Sequence, residues 1–95
     1  MRPWPTLGYD RETVGRHMLA IEAFDTAESE FRRAIWLNPF EPRFKLLLAW
    51  CLFREKKYRE AKEWVQRALE QRPADKDCLD VLGSIDRALE AEGKS

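Results

Sequence analysis

Apolar and small residues recur along the chain at intervals of three and four positions, the spacing at which side chains share one face of an α-helix. Ala27, Phe31 and Ala34 form one such stripe, and a second stripe of the same kind begins at Ala61. The pattern predicts an all-α fold. We expect five antiparallel helices, at about residues 9–22, 25–37, 42–55, 59–71 and 75–91.

Proline and acidic residues at the predicted helix ends support these boundaries. Pro39 and Pro73 follow two of the helices, and proline ends a helix because it lacks the amide donor and collides with the preceding turn. Pro42 suits the first turn of a helix, and we expect Asp75 to cap the last one. Asp25, followed three residues later by a glutamate, predicts a capping box at the start of the second helix.

The helical pattern repeats with a period of 34 residues. The aligned pairs are Phe24 with Tyr58, Ala27 with Ala61, Phe31 with Val65, Ala34 with Ala68, Ile35 with Leu69, and Pro39 with Pro73. Two triplets extend the alignment, namely Val14, Leu48 and Leu82, and Gly15, Ala49 and Gly83. A repeat of this length indicates a stack of two-helix units. Here the chain holds two full units and a closing helix.

The repeated segments EAFDTAESEFRRAIWLNP and KKYREAKEWVQRALEQRP resemble the second half of tetratricopeptide repeats, in which small, aromatic, small and proline residues stand at fixed offsets. The first segment matches fully, whereas Val65 replaces the aromatic residue in the second. Gly15 stands at the family's glycine, while Met18 and Leu52 stand where a tyrosine is usual. The family's usual tryptophan is missing from the first helices. The resemblance implies a right-handed superhelical array of helical hairpins.

The resemblance also divides the chain into segments. We expect an N-terminal tail at residues 1–8, repeats at 9–41 and 42–75, a capping helix at 76–92 and a short tail at 93–95. The last helix combines one apolar stripe with a polar outer face, which is what the terminal unit of a helical array needs.

The family's usual function implies a non-catalytic module or adaptor that binds a peptide or helix of a partner protein in a concave groove. Carried over position by position, the groove residues are Tyr9, Glu12, Arg16, Leu19, Arg43, Leu46, Trp50, Phe53, Arg54, Asp77, Asp80, Ser84 and Arg87. Trp50 and Phe53 offer apolar contact area, and Arg16 and Arg54 are candidates for binding carboxylates. Glu12 is expected to pair with Arg16, four residues later. The aromatic pair could instead pack in the core, and the arginines could be ordinary solvated residues.

A second set of aromatic residues falls outside the predicted groove: Trp4, Trp36, Phe40 and Trp64. Trp4, Trp36 and Phe40 could form a cluster covered by the N-terminal tail. Alternatively, Trp36 and Trp64 could form a second interface or a dimer contact. Two repeats are fewer than the three that such arrays usually need for stability. An obligate structural subunit or a homo-oligomeric scaffold is therefore the alternative function.

Charge and composition narrow the class of partner. The 17 basic and 17 acidic residues cancel, so the net charge does not favour a polyanion. An RNA-binding helical repeat is a weaker alternative, and we expect no nucleic-acid partner. The longest apolar run, 46–53, is too short to span a bilayer, and the N-terminus lacks the apolar core of a signal peptide. We expect a cytoplasmic protein without membrane insertion.

The residues that carry most enzyme chemistry are scarce. His17, Cys51 and Cys78 cannot complete a four-ligand zinc site. The repeat register could bring His17 close to Cys51, but no third residue is evident to orient such a pair. We therefore expect no metal, no cofactor and no catalysis.

Overall fold

The computed structural model describes residues 7–93, which form five α-helices and no strand. The helices are α1 (Tyr9–Ala20), α2 (Phe24–Leu37), α3 (Pro42–Arg54), α4 (Tyr58–Gln71) and α5 (Lys76–Gly93). Every observed boundary lies within two residues of its prediction. The all-α prediction is confirmed.

Four of the five predicted helix-end signals are present. Pro42 occupies the first turn of α3, and α2 and α4 both end two residues before their prolines. The carboxylate of Asp75 accepts a hydrogen bond of 3.0 Å from the backbone N–H of Cys78, which caps α5.

The predicted capping box at Asp25 is wrong. The helix α2 begins at Phe24, so Asp25 lies inside the first turn, and no side chain caps this helix end. The reason is the tight turn that precedes it. Glu22 adopts a left-handed conformation, with φ of 62°, and the backbone N–H of Ala23 bonds back to Met18 O at 2.8 Å. This Schellman-type closure leads directly into α2.

The same turn recurs 34 residues later, between α3 and α4. Lys56 has φ of 67°, and the N–H of Lys57 donates to Leu52 O at 2.9 Å. The sequence period is therefore also a period of backbone geometry. Neither turn carries the glycine that usually occupies a left-handed position after a helix.

Consecutive helices pack on one another along the chain, and α3 also contacts α5. The repeated stripe residues form the centre of the core. Ala27, Phe31, Ala34, Ala61, Val65 and Ala68 are all fully buried. The remaining fully buried side chains include Phe44, Leu48, Ala49, Cys51, Leu52 and Ile85. The small residues let the backbones of neighbouring helices approach, and the large ones fill the space beside them.

Equivalent positions of the two repeats differ in burial because their helices pack against different numbers of other helices. Leu48 of α3 is fully buried, whereas Val14 of α1 is 39% exposed. The helix α3 packs between α2 and α4, but α1 packs chiefly on α2. The apolar Leu79 on α5 is also exposed, so the outer face of the closing helix is less uniformly polar than its sequence pattern predicts.

Candidate partner-binding groove

The first helix of each hairpin, together with α5, borders two neighbouring hollows. The α3–α5 hollow has a volume of 390 Å³ and is lined by the apolar side chains of Leu46, Leu47, Trp50 and Val81. The α1–α3 hollow has the same volume and reaches from Leu19 to Arg54. Arg16, Leu47 and Trp50 line both hollows. The two hollows therefore form one continuous surface, which we call the groove.

Leu47 and Val81 are groove residues that were not among the predicted ones. The sequence contains a signal from which Leu47 could have been predicted, because Leu47, Trp50 and Arg54 are spaced at i, i+3 and i+7 and share one helix face. Val81 belongs to the apolar stripe of α5. It is half-buried, packs against the core and also lines the α3–α5 hollow.

Glu12 joins α1 to α3 from a buried position. Its side chain is 8% exposed and accepts two hydrogen bonds from Arg43, Nε to Oε2 at 2.6 Å and Nη2 to Oε1 at 2.8 Å. Arg16 Nε adds a third bond, at 3.1 Å, so the expected pair is present. The hydrogen bonds that Arg43 donates to Glu12 raise the pKa of Arg43. Because Arg43 is held bidentately, its main role is to tie the two helices together.

Tyr9 takes part in the same contact between α1 and α3. Its hydroxyl donates to Glu41 Oε1 at 2.5 Å, which raises the pKa of Tyr9. The tyrosine ring packs edge-on against Phe44, with centroids 5.1 Å apart, and the guanidinium of Arg43 lies 5.4 Å from its centroid. Tyr9 therefore supports the end of the groove and does not line either hollow.

Trp50 and Phe53, predicted as a pair of ligand contacts, have different positions. Their rings stack with centroids 5.3 Å apart and planes inclined by 22°. Trp50 lines both hollows, whereas Phe53 packs against the core and against Tyr58. Arg54 lies over the ring of Phe24, at 5.3 Å from its centroid, and borders the α1–α3 hollow.

The α5 side of the groove is acidic. Asp77 and Asp80 line the α3–α5 hollow, and within residues 7–93 neither carboxylate forms an ion pair. Ser84 and Arg87 lie on the same helix but outside both hollows. Arg87 Nη2 donates to Ser84 Oγ at 3.3 Å.

The arrangement of hairpins agrees with a comparison against known families. The model of a family described as tetratricopeptide repeat matches residues 6–76. The chain belongs to the tetratricopeptide repeat family. Members of this family generally mediate protein–protein interactions, and their domains are typically non-catalytic. Comparison with curated protein sequences gives no match.

The four aromatic residues of the predicted second interface are not equivalent in this tetratricopeptide repeat chain. Trp36 and Phe40 are 82% and 84% exposed. Trp64 is half-buried and packs against the core, with the guanidinium of Arg67 at 4.6 Å from its ring centroid. Trp4 lies outside the described residues. The exposed part of this surface is therefore Trp36 and Phe40.

The thiols of the tetratricopeptide repeat chain are buried in apolar surroundings. Burial raises the pKa of Cys51 to about 12 and that of Cys78 to about 11, so both remain protonated at neutral pH. Cys51 Sγ donates to Phe24 O at 3.4 Å, whereas His17 is exposed. Among the described residues, no group of His, Cys, Asp and Glu is arranged to hold a metal ion. Nor is any helix of residues 7–93 both long and apolar enough to cross a membrane.

Proposed function

We propose that the protein is a non-catalytic adaptor that binds a peptide or helix of a partner protein in the groove between α1, α3 and α5. The observation that carries this proposal is the apolar lining shared by the two hollows, centred on Leu47 and Trp50. Tryptophan is among the residues that contribute most to protein–protein binding, and Trp50 is half-buried in the groove. In this proposal residues 9–41 and 42–75 form the repeats, 76–92 closes the array, and the protein acts in the cytoplasm.

Charge favours a protein partner over a nucleic acid. Asp77 and Asp80 border the α3–α5 hollow and would repel phosphate groups. Arg43 on the same hollow is bound by Glu12, so its charge is largely compensated. These features support a partner that brings apolar side chains to the groove.

Capture of a partner from native extract tests the proposal when paired variants are used. We expect the wild type and Trp36→Ala to recover the same partner and Trp50→Ala to lose it. Trp36→Ala is the matched control because it removes the same side chain from an exposed site outside both hollows. Circular dichroism and mass in solution should show that both variants are folded. The purified partner is then titrated against each protein, and equal affinity for Trp50→Ala and wild type would refute binding in the groove.

A second candidate function is a homo-oligomeric scaffold or an obligate subunit, favoured by the exposure of Trp36 and Phe40. Exposed aromatic side chains of this size often belong to interfaces. Sedimentation equilibrium of the wild type and of a Trp36→Ser, Phe40→Ser double variant is the test. An oligomer that the double variant converts to a folded monomer would support this function, and a monomeric wild type would exclude self-association.

A further inference from the structure

Building on the proposed function, we infer that the occupant of the groove is a peptide segment of a partner with an apolar centre, an acidic residue on one side of it and a basic residue on the other. The acidic residue faces Arg16 and Arg54, and the basic residue faces Asp77 and Asp80. Charge complementarity carries this choice of ligand, because Arg16 and Arg54 outnumber the one carboxylate of the α1–α3 hollow, Glu22, whereas the charged residues that α5 contributes to the groove are both aspartates.

The side of the groove that contains Arg16 and Arg54 carries more positive than negative charge. Glu12 is one carboxylate shared between Arg16 and Arg43, so one positive charge is left uncompensated. Arg16 has a side chain that is 55% exposed and uses Nε for Glu12, which leaves its terminal nitrogens available. Arg54 forms no ion pair within residues 7–93, and Glu22 is the one carboxylate that lines the same hollow. A carboxylate of the ligand would therefore find hydrogen-bond donors here.

The anionic side lies across the apolar floor, on α5. Asp77 and Asp80 are three residues apart on one helix face, and both are exposed. Two cations line the same hollow, Arg43 and Arg16. Glu12 holds Arg43 bidentately at 2.6 and 2.8 Å and accepts one bond from Arg16. The two aspartates are therefore available to a lysine or arginine of the ligand.

The separation of charge gives selectivity. Leu47 and Trp50 lie between the two charged sides because they line both hollows. A ligand with only acidic residues would be repelled by Asp77 and Asp80, and one with only basic residues would be repelled by Arg16 and Arg54. Like-charge contacts of this kind discriminate between ligands more than they change the affinity for the best one.

Four capped synthetic peptides with the same centre of two leucines and a phenylalanine test this inference. The first peptide has an acidic residue on one flank and a basic residue on the other, and the remaining three have two acidic, two basic or two serine flanks. Fluorescence anisotropy gives the dissociation constants. We expect the mixed-charge peptide to bind about fivefold to tenfold more tightly than either single-sign peptide at low salt, because one partly exposed ion pair replaces a like-charge contact. The advantage should shrink as ionic strength rises.

A charge reversal on the protein makes the test specific. An Asp77→Lys, Asp80→Lys variant should come to prefer the doubly acidic peptide. Glu63→Lys, Glu92→Lys is the matched control, because it changes the net charge equally at exposed sites outside the groove. The control should retain the wild-type preference.

The outcomes distinguish the inference from the function on which it rests. One outcome is that the serine-flanked peptide binds the wild type as tightly as the mixed-charge peptide does but does not bind the Trp50→Ala variant. In that case the groove binds peptides, and the inferred charge pattern is overturned. If the aspartate variant keeps the wild-type preference, the inference is also overturned. If no peptide binds, the inference fails, and the partner capture described above still decides the groove function independently.

Discussion

Gly15 of α1 lies directly against Phe31 of α2, since a Cβ atom added to Gly15 would stand 2.6 Å from Cε1 of Phe31. That distance is too short for two carbon atoms, and Phe31 is fully buried and cannot move away easily. The contact explains why the first repeat holds a glycine here. It also sets the close approach of the first two helices.

Gly15→Ala should therefore destabilise the protein. Alanine gains about 1 kcal/mol in helix propensity over glycine, but overpacking a core position costs about 1–3 kcal/mol. We expect a net loss of about 1 kcal/mol in the free energy of unfolding, measured by urea denaturation. Gly83 is the matched control, because it occupies the equivalent position of α5 and the nearest atom to its added Cβ is Arg87 Nη1 at 3.5 Å. Gly83→Ala should stabilise the protein, and equal effects of the two substitutions would contradict the packing at Gly15.

Lys56→Gly should stabilise the protein. Lys56 holds a left-handed backbone conformation, with φ of 67°, which costs a residue with a side chain about 1–2 kcal/mol. The greater flexibility of glycine in the unfolded chain offsets part of this. We expect a gain of about 0.5–1 kcal/mol by urea denaturation. Gln66→Gly, at an exposed site inside α4, should instead cost about 0.5–1 kcal/mol. A loss of stability in Lys56→Gly would argue against the turn geometry.

Glu55 should make stability fall as the pH rises towards neutrality. Its Oε2 is buried without a hydrogen-bond partner, and its neighbours Glu28 and Asp25 are also acidic. Burial is the largest of the effects that raise the pKa of Glu55 to about 7 from its ordinary 4.5, followed by the hydrogen bond that its protonated carboxyl donates to Glu28 and by the charge of Glu28. Lys57, 3.6 Å from Glu55 Oε1, offsets this only in part. A folded-state pKa above the unfolded one means that the group's stabilisation is complete below pH 4.5 and is lost as pH rises to about 7.

Glu55→Gln should remove that dependence. Each pKa unit corresponds to about 1.4 kcal/mol, so we expect the variant to exceed the wild type by about 1–3 kcal/mol at pH 8 and to match it near pH 4. Urea denaturation at a series of pH values gives the difference curve, which cancels the titration of all unaffected groups. Glu63→Gln, at an exposed position of α4, is the matched control. A flat curve for Glu55→Gln would show that the pKa of Glu55 is the same in the folded and the unfolded protein.

Glu12 should have unequal coupling energies with its two arginine partners, Arg43 of α3 and Arg16 of α1. Arg43 binds Glu12 through two short bonds and Arg16 through one. In double-mutant cycles of stability with Glu12→Gln, we expect a coupling of about 1 kcal/mol with Arg43→Met and under about 0.5 kcal/mol with Arg16→Met. A stronger coupling with Arg16 would mean that Arg43 is free in solution and available to a ligand.

The sequence by itself determined the all-α class, the repeat and the core stripes. Ala27, Phe31 and Ala34 could be assigned to a buried face because helical periodicity is a local property, and the 34-residue register then carried the assignment to α4. The prolines and Asp75 marked helix ends for the same reason. The wrong capping box at Asp25 shows the limit of such signals, because the backbone closure from Met18 to Ala23 had already determined where α2 starts.

Only the tertiary structure decided which groove residues are free. Glu12 and Arg43 are 31 residues apart, and nothing local to either predicts that they bind each other. Leu47 rather than Phe53 lines the groove, which depends on the rotation of α3 between its neighbours. The physical reason is that helix formation follows from contacts between residues close in sequence. The partners of a charged or aromatic side chain follow from how whole helices pack.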